Sequence, residues 1–182
     1  MPLLNTVTTP YAEAFLQVAD ASGETEVVIG QVRSLLDVWA SSPELREALG
    51  SPVLEVDVKK ALIEKLFAAE LSPIFLNLLK LLADRKRIGI LGPVLERMLE
   101  IYRQQNNIAL ATITSATPLS DSQQALVAER VKSVAGTDKV EINLQVDPSL
   151  IGGFLLNVGS KVIDASLSGQ VRRLGLELAR VS

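Results

Sequence analysis

The sequence predicts a mainly α chain, with a six-helix bundle over residues 1–105 followed by a small α+β domain over 106–182. Apolar residues recur at helical spacing from Thr9 to Gln105, and the residues between those runs are of the kind that start and stop helices. After Gln105 the texture changes to β-branched residues in strand-like alternation. A chain of 182 residues, 48% apolar and 21% charged, has material for two compact units and lies far from a disordered composition.

The first helix takes Thr9 as N-cap and Pro10 at the position where a missing N–H costs nothing. Its stripe is Tyr11, Ala14, Phe15 and Val18, and it closes before Gly23. The second carries Val28, Val32, Leu35, Leu36 and Trp39 on one face and ends at Ser41-Ser42-Pro43. A short third helix runs to Gly50, which suits a left-handed cap. The fourth spans about Asp57 to Ala68 with Val58, Leu62 and Leu66 in line, the fifth starts at Ser72-Pro73 and reaches about Asp84, and the sixth covers roughly Gly89 to Gln105.

The fifth helix is apolar on two sides. Phe75, Leu79 and Leu82 form one stripe, and Ile74, Leu78 and Leu81, beside Asn77, form another. Such a helix either sits at the centre of the bundle or keeps one stripe for a partner helix. Arg85-Lys86-Arg87 closes it, complementing the negative end of its dipole and adjoining the second stripe, where it could also dock an acidic partner.

In the second unit, Ile108 to Ser115 alternates as a strand, and Thr117 to Asp121 introduces a helix through Ala135. Glu141 to Val146 reads as a second strand, Asp147-Pro148 as a turn, and Phe154 to Val158 with Lys161 to Asp164 as a hairpin around Gly159-Ser160. A last helix is expected from Ser166 toward Arg180. The order is β-α-β-β-β-α, with Gln104 to Asn107 as the hinge.

Little of this composition suits catalysis. There is no Cys and no His, which removes thiolate nucleophiles, imidazole bases and the usual zinc ligands. Net charge is −3, and neither half is basic, so a nucleic-acid partner is not expected. The segment Gly152 to Lys161 resembles a P-loop faintly, but its spacing and its hairpin context are wrong, so no cofactor is expected there. Glu44, Glu47, Glu96 and Glu100 read as surface charge and not as a catalytic carboxylate pair. The most apolar run, Ile74 to Ala83, is about half a membrane span, so direct membrane insertion is not expected.

The motif Val140-x-Ile142-x-x-x-Val146-Asp147-x-x-Leu150-x-Gly152-Gly153-Phe154-x-Leu156-Asn157-x-Gly159, followed by Asp164-x-Ser166, resembles the C-terminal signature of the delta subunit family of F-type ATP synthases, known in mitochondria as the oligomycin-sensitivity-conferring protein. Pro10-Tyr11-Ala12-x-Ala14 resembles the family's N-terminal motif, and Asn77 through Leu78-Leu79 and Leu82 to Arg87-Ile88 its fifth-helix segment. One departure is Lys86, where members often carry Gly.

The resemblance implies a non-catalytic connector of the peripheral stalk, one copy per complex. It puts an amphipathic N-terminal helix of an alpha subunit in a groove on Tyr11, Ala14, Phe15 and Val18 of the first helix and Asn77, Leu78 and Leu81 of the fifth. The C-terminal part would grip b-type stalk subunits, with Gly152, Gly153, Phe154, Leu167 and Val171 as candidate contacts. It also implies a peripheral position on the cytoplasmic or stromal side of the energy-coupling membrane, with a texture that leans to the photosynthetic branch and thylakoids. The rival readings are a carboxylate-dependent hydrolase or transferase on a helical scaffold and a helical adaptor of another assembly, which a turnover screen and alpha-peptide binding respectively would separate.

Overall fold

The computed structural model describes residues 2–159 and 161–172. The chain is mostly helical, with one four-stranded sheet toward its C-terminal end, and it divides into two compact units, Met1–Tyr102 and Arg103–Ser182.

The first unit opens with α1 (Pro2–Ala21), α2 (Thr25–Ser41), α3 (Pro43–Gly50), α4 (Val56–Phe67) and α5 (Pro73–Asp84). A 3-10 turn at Ile88–Ile90 then leads into α6 (Leu91–Gln105), which runs past the unit boundary. Among the described residues, no helix is long and apolar enough to cross a membrane. The core is built from Val28, Ile29 and Val32 of α2, Phe75, Leu79 and Leu82 of α5, and Val94, Leu95 and Met98 of α6, all at most 1% exposed. Each such side chain contributes about 1.5–3 kcal/mol through removal from water.

Three helix ends share one device. At Gly23, Lys86 and Asn107 the residue is left-handed, with φ of 72°, 55° and 54°. The N–H of that residue donates three residues back, and the N–H of the following residue five back: Gly23 to Asp20 and Glu24 to Ala19, Lys86 to Ala83 and Arg87 to Leu82, Asn107 to Gln104 and Ile108 to Arg103. This double closure satisfies carbonyls that a helix end leaves open. Gly and Asn tolerate the conformation, whereas Lys brings a Cβ into it. Lys86→Gly should therefore raise stability by about 0.5–1 kcal/mol, read as a higher urea midpoint at unchanged slope. An unchanged or lower midpoint would contradict this account of the α5 terminus.

Several boundaries differ from the sequence expectation. Helix α1 starts at Pro2, with Pro10 inside it. Thr9 is not a cap, and its hydroxyl accepts from Arg97 Nε of α6 at 3.0 Å. Gly50 stays within α3 and does not take a left-handed cap; Ser51, at φ −58° and ψ 129°, makes the break. The cause is Pro52, which pushes its predecessor to extended backbone. On α4 the buried residues are Lys59, Ile63 and Phe67, while Val58 and Leu66 of the expected stripe are exposed.

The second unit contains β1 (Ala109–Ser115), α7 (Asp121–Ala135), β2 (Val140–Val146), β3 (Phe154–Val158) and β4 (Lys161–Asp164). The sheet order is β2-β1-β3-β4, with β1 and β2 parallel and the other pairs antiparallel. Helix α7 makes the crossover that a parallel pair needs. Ser120 caps α7 through a reciprocal pair: its hydroxyl accepts from Gln123 N–H at 3.4 Å, and its own N–H donates to Gln123 Oε1 at 2.9 Å. Ala111, Ile113, Leu156 and Val158 pack with Val127 and Val131 of α7 into this unit's core. The backbone is helical at 167–172, and the rest of the expected last helix lies outside the described residues.

Candidate functional site

Helices α1 and α5 neighbour each other and enclose an open groove of about 490 Å³. Its lining is almost wholly apolar and includes Tyr11, Ala14, Phe15 and Val18 from α1 and Asn77, Leu78 and Leu81 from α5. Pro10 and Ile74 also line it. Ile74 belongs to the second stripe of α5, and Pro10 precedes Tyr11 in the motif, so both carried a sequence signal that the candidate set left out.

The seven candidates do not play one role. Phe15 and Leu78 are 5% and 7% exposed, and the Phe15 ring packs on Phe75 with centroids 5.1 Å apart and planes tilted by 47°. They are core residues whose outer edges form the groove floor, so Leu78 of the second stripe of α5 is covered by the bundle while Leu81 is left bare. Val18 and Leu81, at 51% and 43% exposed, are the walls, with Ala14 and Asn77 also facing solvent. The physical reason is the close approach of α1 to α5, which presses the residues facing along the line of centres into contact and leaves those one helical step away bare.

Tyr11 stands near the C-terminal end of α5. Its hydroxyl accepts from Arg87 Nη1 at 3.1 Å, and the Arg87 guanidinium lies over its ring, 5.9 Å from the centroid. Since Phe15 meets Phe75 near the start of α5, while Tyr11 meets Arg87 beyond its end, the two helices run antiparallel along the groove.

In the second unit the signature segment is largely occupied with its own chain. The N–H of Ala165 donates to Phe154 O at 3.0 Å and that of Leu167 to Gly152 O at 2.9 Å. Gly153 has φ +77°, and a Cβ there would lie 2.3 Å from the Ala165 carbonyl oxygen. Asp164 Oδ1 accepts from the N–H of Ser166 at 3.0 Å and from its hydroxyl at 2.5 Å, and the buried Ser166 oxygen accepts from Gly169 N–H at 3.0 Å. Asp147 accepts from the Ser149 hydroxyl and backbone N–H, which hold its carboxyl below the usual carboxylate range.

Of the five C-terminal candidates, Gly152, Gly153 and the half-buried Phe154 thus serve internal packing. Leu167 and Val171, four residues apart on helical backbone, are exposed. Ile151, at 76% exposure with φ 66°, is a further exposed apolar residue, next to Gly152 in sequence, that pattern reasoning passed over.

Comparison with known proteins gives a consistent result. The sequence model described as ATP synthase delta (OSCP) subunit matches residues 7–178. The chain is 68% and 66% identical to ATP synthase subunit delta of two strains of Prochlorococcus marinus, over 182 residues and the full length of both partners. It is 60% identical over 181 residues to ATP synthase subunit delta of the organellar chromatophore of Paulinella chromatophora, covering all of both chains. A chain in the cryo-EM structure of the Toxoplasma gondii mitochondrial ATP synthase hexamer shares the fold, at TM-score 0.76 and 23% identity, over 94% of this chain and 97% of that one. The chain therefore belongs to the ATP synthase delta (OSCP) subunit family, non-catalytic structural components of the peripheral stalk.

Proposed function

We propose that the chain joins the catalytic head of an F-type ATP synthase to its stalk, so that rotor torque is resisted and proton flow is coupled to ATP synthesis. The six helices of 1–105 act as one bundle that holds an amphipathic N-terminal helix of an alpha subunit, while 106–182 grips b-type subunits, one copy per complex. The observation that carries the reading is the α1–α5 groove, open and apolar, lined from Ile74 to Leu81 along α5, about two turns of helix. A helix laid along it would cover Val18 and Leu81, whose exposure is otherwise unfavourable. On the stalk side, support comes from the exposed Leu167 and Val171.

The cyanobacterial and chromatophore relatives favour a peripheral position at thylakoids, on the side that bears the catalytic head. Reconstitution tests the division of labour. The full chain should link purified head and b-type subunits into one ternary complex at equal stoichiometry, and a chain ending at Gln105 should retain the head alone. A truncated chain that still links the two would defeat the assignment.

A further inference from the structure

We infer that the α1–α5 groove is electrostatically polarised and accepts its helix in one direction, with an acidic side chain of the occupant set against Arg87. The inference rests on the reading of the groove as a helix-binding site and adds the charge and orientation of what it binds.

Four observations carry it. First, the double closure at the end of α5 fixes Arg87 as the residue after left-handed Lys86, and the bond to Tyr11 holds its guanidinium at the rim of the apolar lining. Only one of the five guanidinium N–H groups is engaged there, so the fork can still receive a carboxylate. Second, the other charges of α5 are already neutralised: Lys80 pairs with Glu64 at 2.9 Å, and Asp84 pairs with Lys60. Third, among the described residues no carboxylate pairs with Arg85, Lys86 or Arg87, all exposed. Fourth, beyond Val18 and Ile74 at the opposite end, the next charged residues along the two segments are Asp20 and Glu70, both acidic and exposed.

One end of the groove is therefore cationic and the other anionic, while the floor between is apolar. An apolar groove alone would accept an amphipathic helix either way round. Opposed charges at its two ends penalise the reversed helix by placing like charges together. Rim charges of this kind act chiefly on association rate and salt dependence.

The test uses the full chain and a synthetic peptide of the alpha subunit's N-terminal segment, titrated at low and at physiological salt. Arg87→Ala should weaken binding roughly fivefold at low salt and flatten the salt dependence, with an unchanged melting curve. Changing the peptide's acidic residues to Lys should reproduce that loss on the wild-type chain and add nothing on Arg87→Ala. A nitroxide on the peptide's acidic end should broaden the resonances of Tyr11 and not those of Val18. If Arg87→Ala leaves affinity and salt slope unchanged, or the label broadens both ends equally, the polarity is overturned although the groove still binds. If the wild-type chain does not bind the peptide at all, the groove reading itself falls.

Discussion

Leu81→Asp is expected to weaken binding of the alpha-derived helix by about 2 kcal/mol or more, as a charge set into the centre of an apolar interface does. The fold should hardly notice. Leu81 is already 43% exposed in the free chain, so the new carboxylate remains hydrated until the partner arrives. Phe15→Asp behaves in the opposite manner. Its ring is 5% exposed against Phe75, and a carboxylate there is stripped of water with no cation supplied. That cost is several kcal/mol, comparable to the total stability of a small domain. Circular dichroism beside peptide titration separates the two: Leu81→Asp should keep its helicity and lose affinity, and Phe15→Asp should lose both. Unchanged affinity in Leu81→Asp would remove the groove wall from the interface.

Gly153→Ala should be strongly damaging to the second unit. The left-handed φ of +77° costs a β-carbon about 1–2 kcal/mol. The added atom would also lie 2.3 Å from the Ala165 carbonyl oxygen, a backbone atom that cannot step aside without breaking the neighbouring Ala165 and Leu167 hydrogen bonds. A loss of about 3 kcal/mol or more follows, large for a unit that spans only Arg103–Ser182 and buries a modest fraction of its surface. Gly152→Ala is the control. There the obstruction is Leu167 Cδ1 at 2.7 Å, the tip of a flexible, exposed side chain. Amide exchange of β1 and β3 reports this unit, while fluorescence of the single Trp, Trp39 in α2, reports the first. Equal stability of the two variants would refute the account of the Gly153 contact.

These contrasts bear on how the signature residues are read. Gly152-Gly153-Phe154 and Asp164-x-Ser166 were legible in the sequence as a family mark, but their roles were not. Ser166 and Asp164 close a polar turn ahead of the helical residues, and Gly153 permits the chain to pass against Ala165. The exposed apolar side chains there belong to less distinctive residues such as Leu167 and Val171.

The sequence by itself determined what depends on short-range stereochemistry. Ser72-Pro73 starts α5, Ser120 starts α7, and the β3–β4 hairpin falls at Phe154–Val158 and Lys161–Asp164, because caps, prolines and tight turns act within a few residues of themselves. It also marked the second stripe of α5, since two-sided apolarity is a property of one helix. Tertiary structure decided which of several apolar faces is covered. Helix α4 carries both Val58-Leu62-Leu66 and Ile63-Phe67, and only its packing beside α5 turns the latter inward. Strand β2 alternates like β1, yet Ile142, Leu144 and Val146 stay exposed on this edge strand, although Ala111 and Ile113, the register partners of Ile142 and Leu144 on β1, are buried. Pro10 runs inside α1 because packing of that helix on its neighbours outweighs one missing hydrogen bond. In the groove, Phe15 became floor and Leu81 wall through the closeness of two helices far apart in the chain, a distance that no periodicity contains.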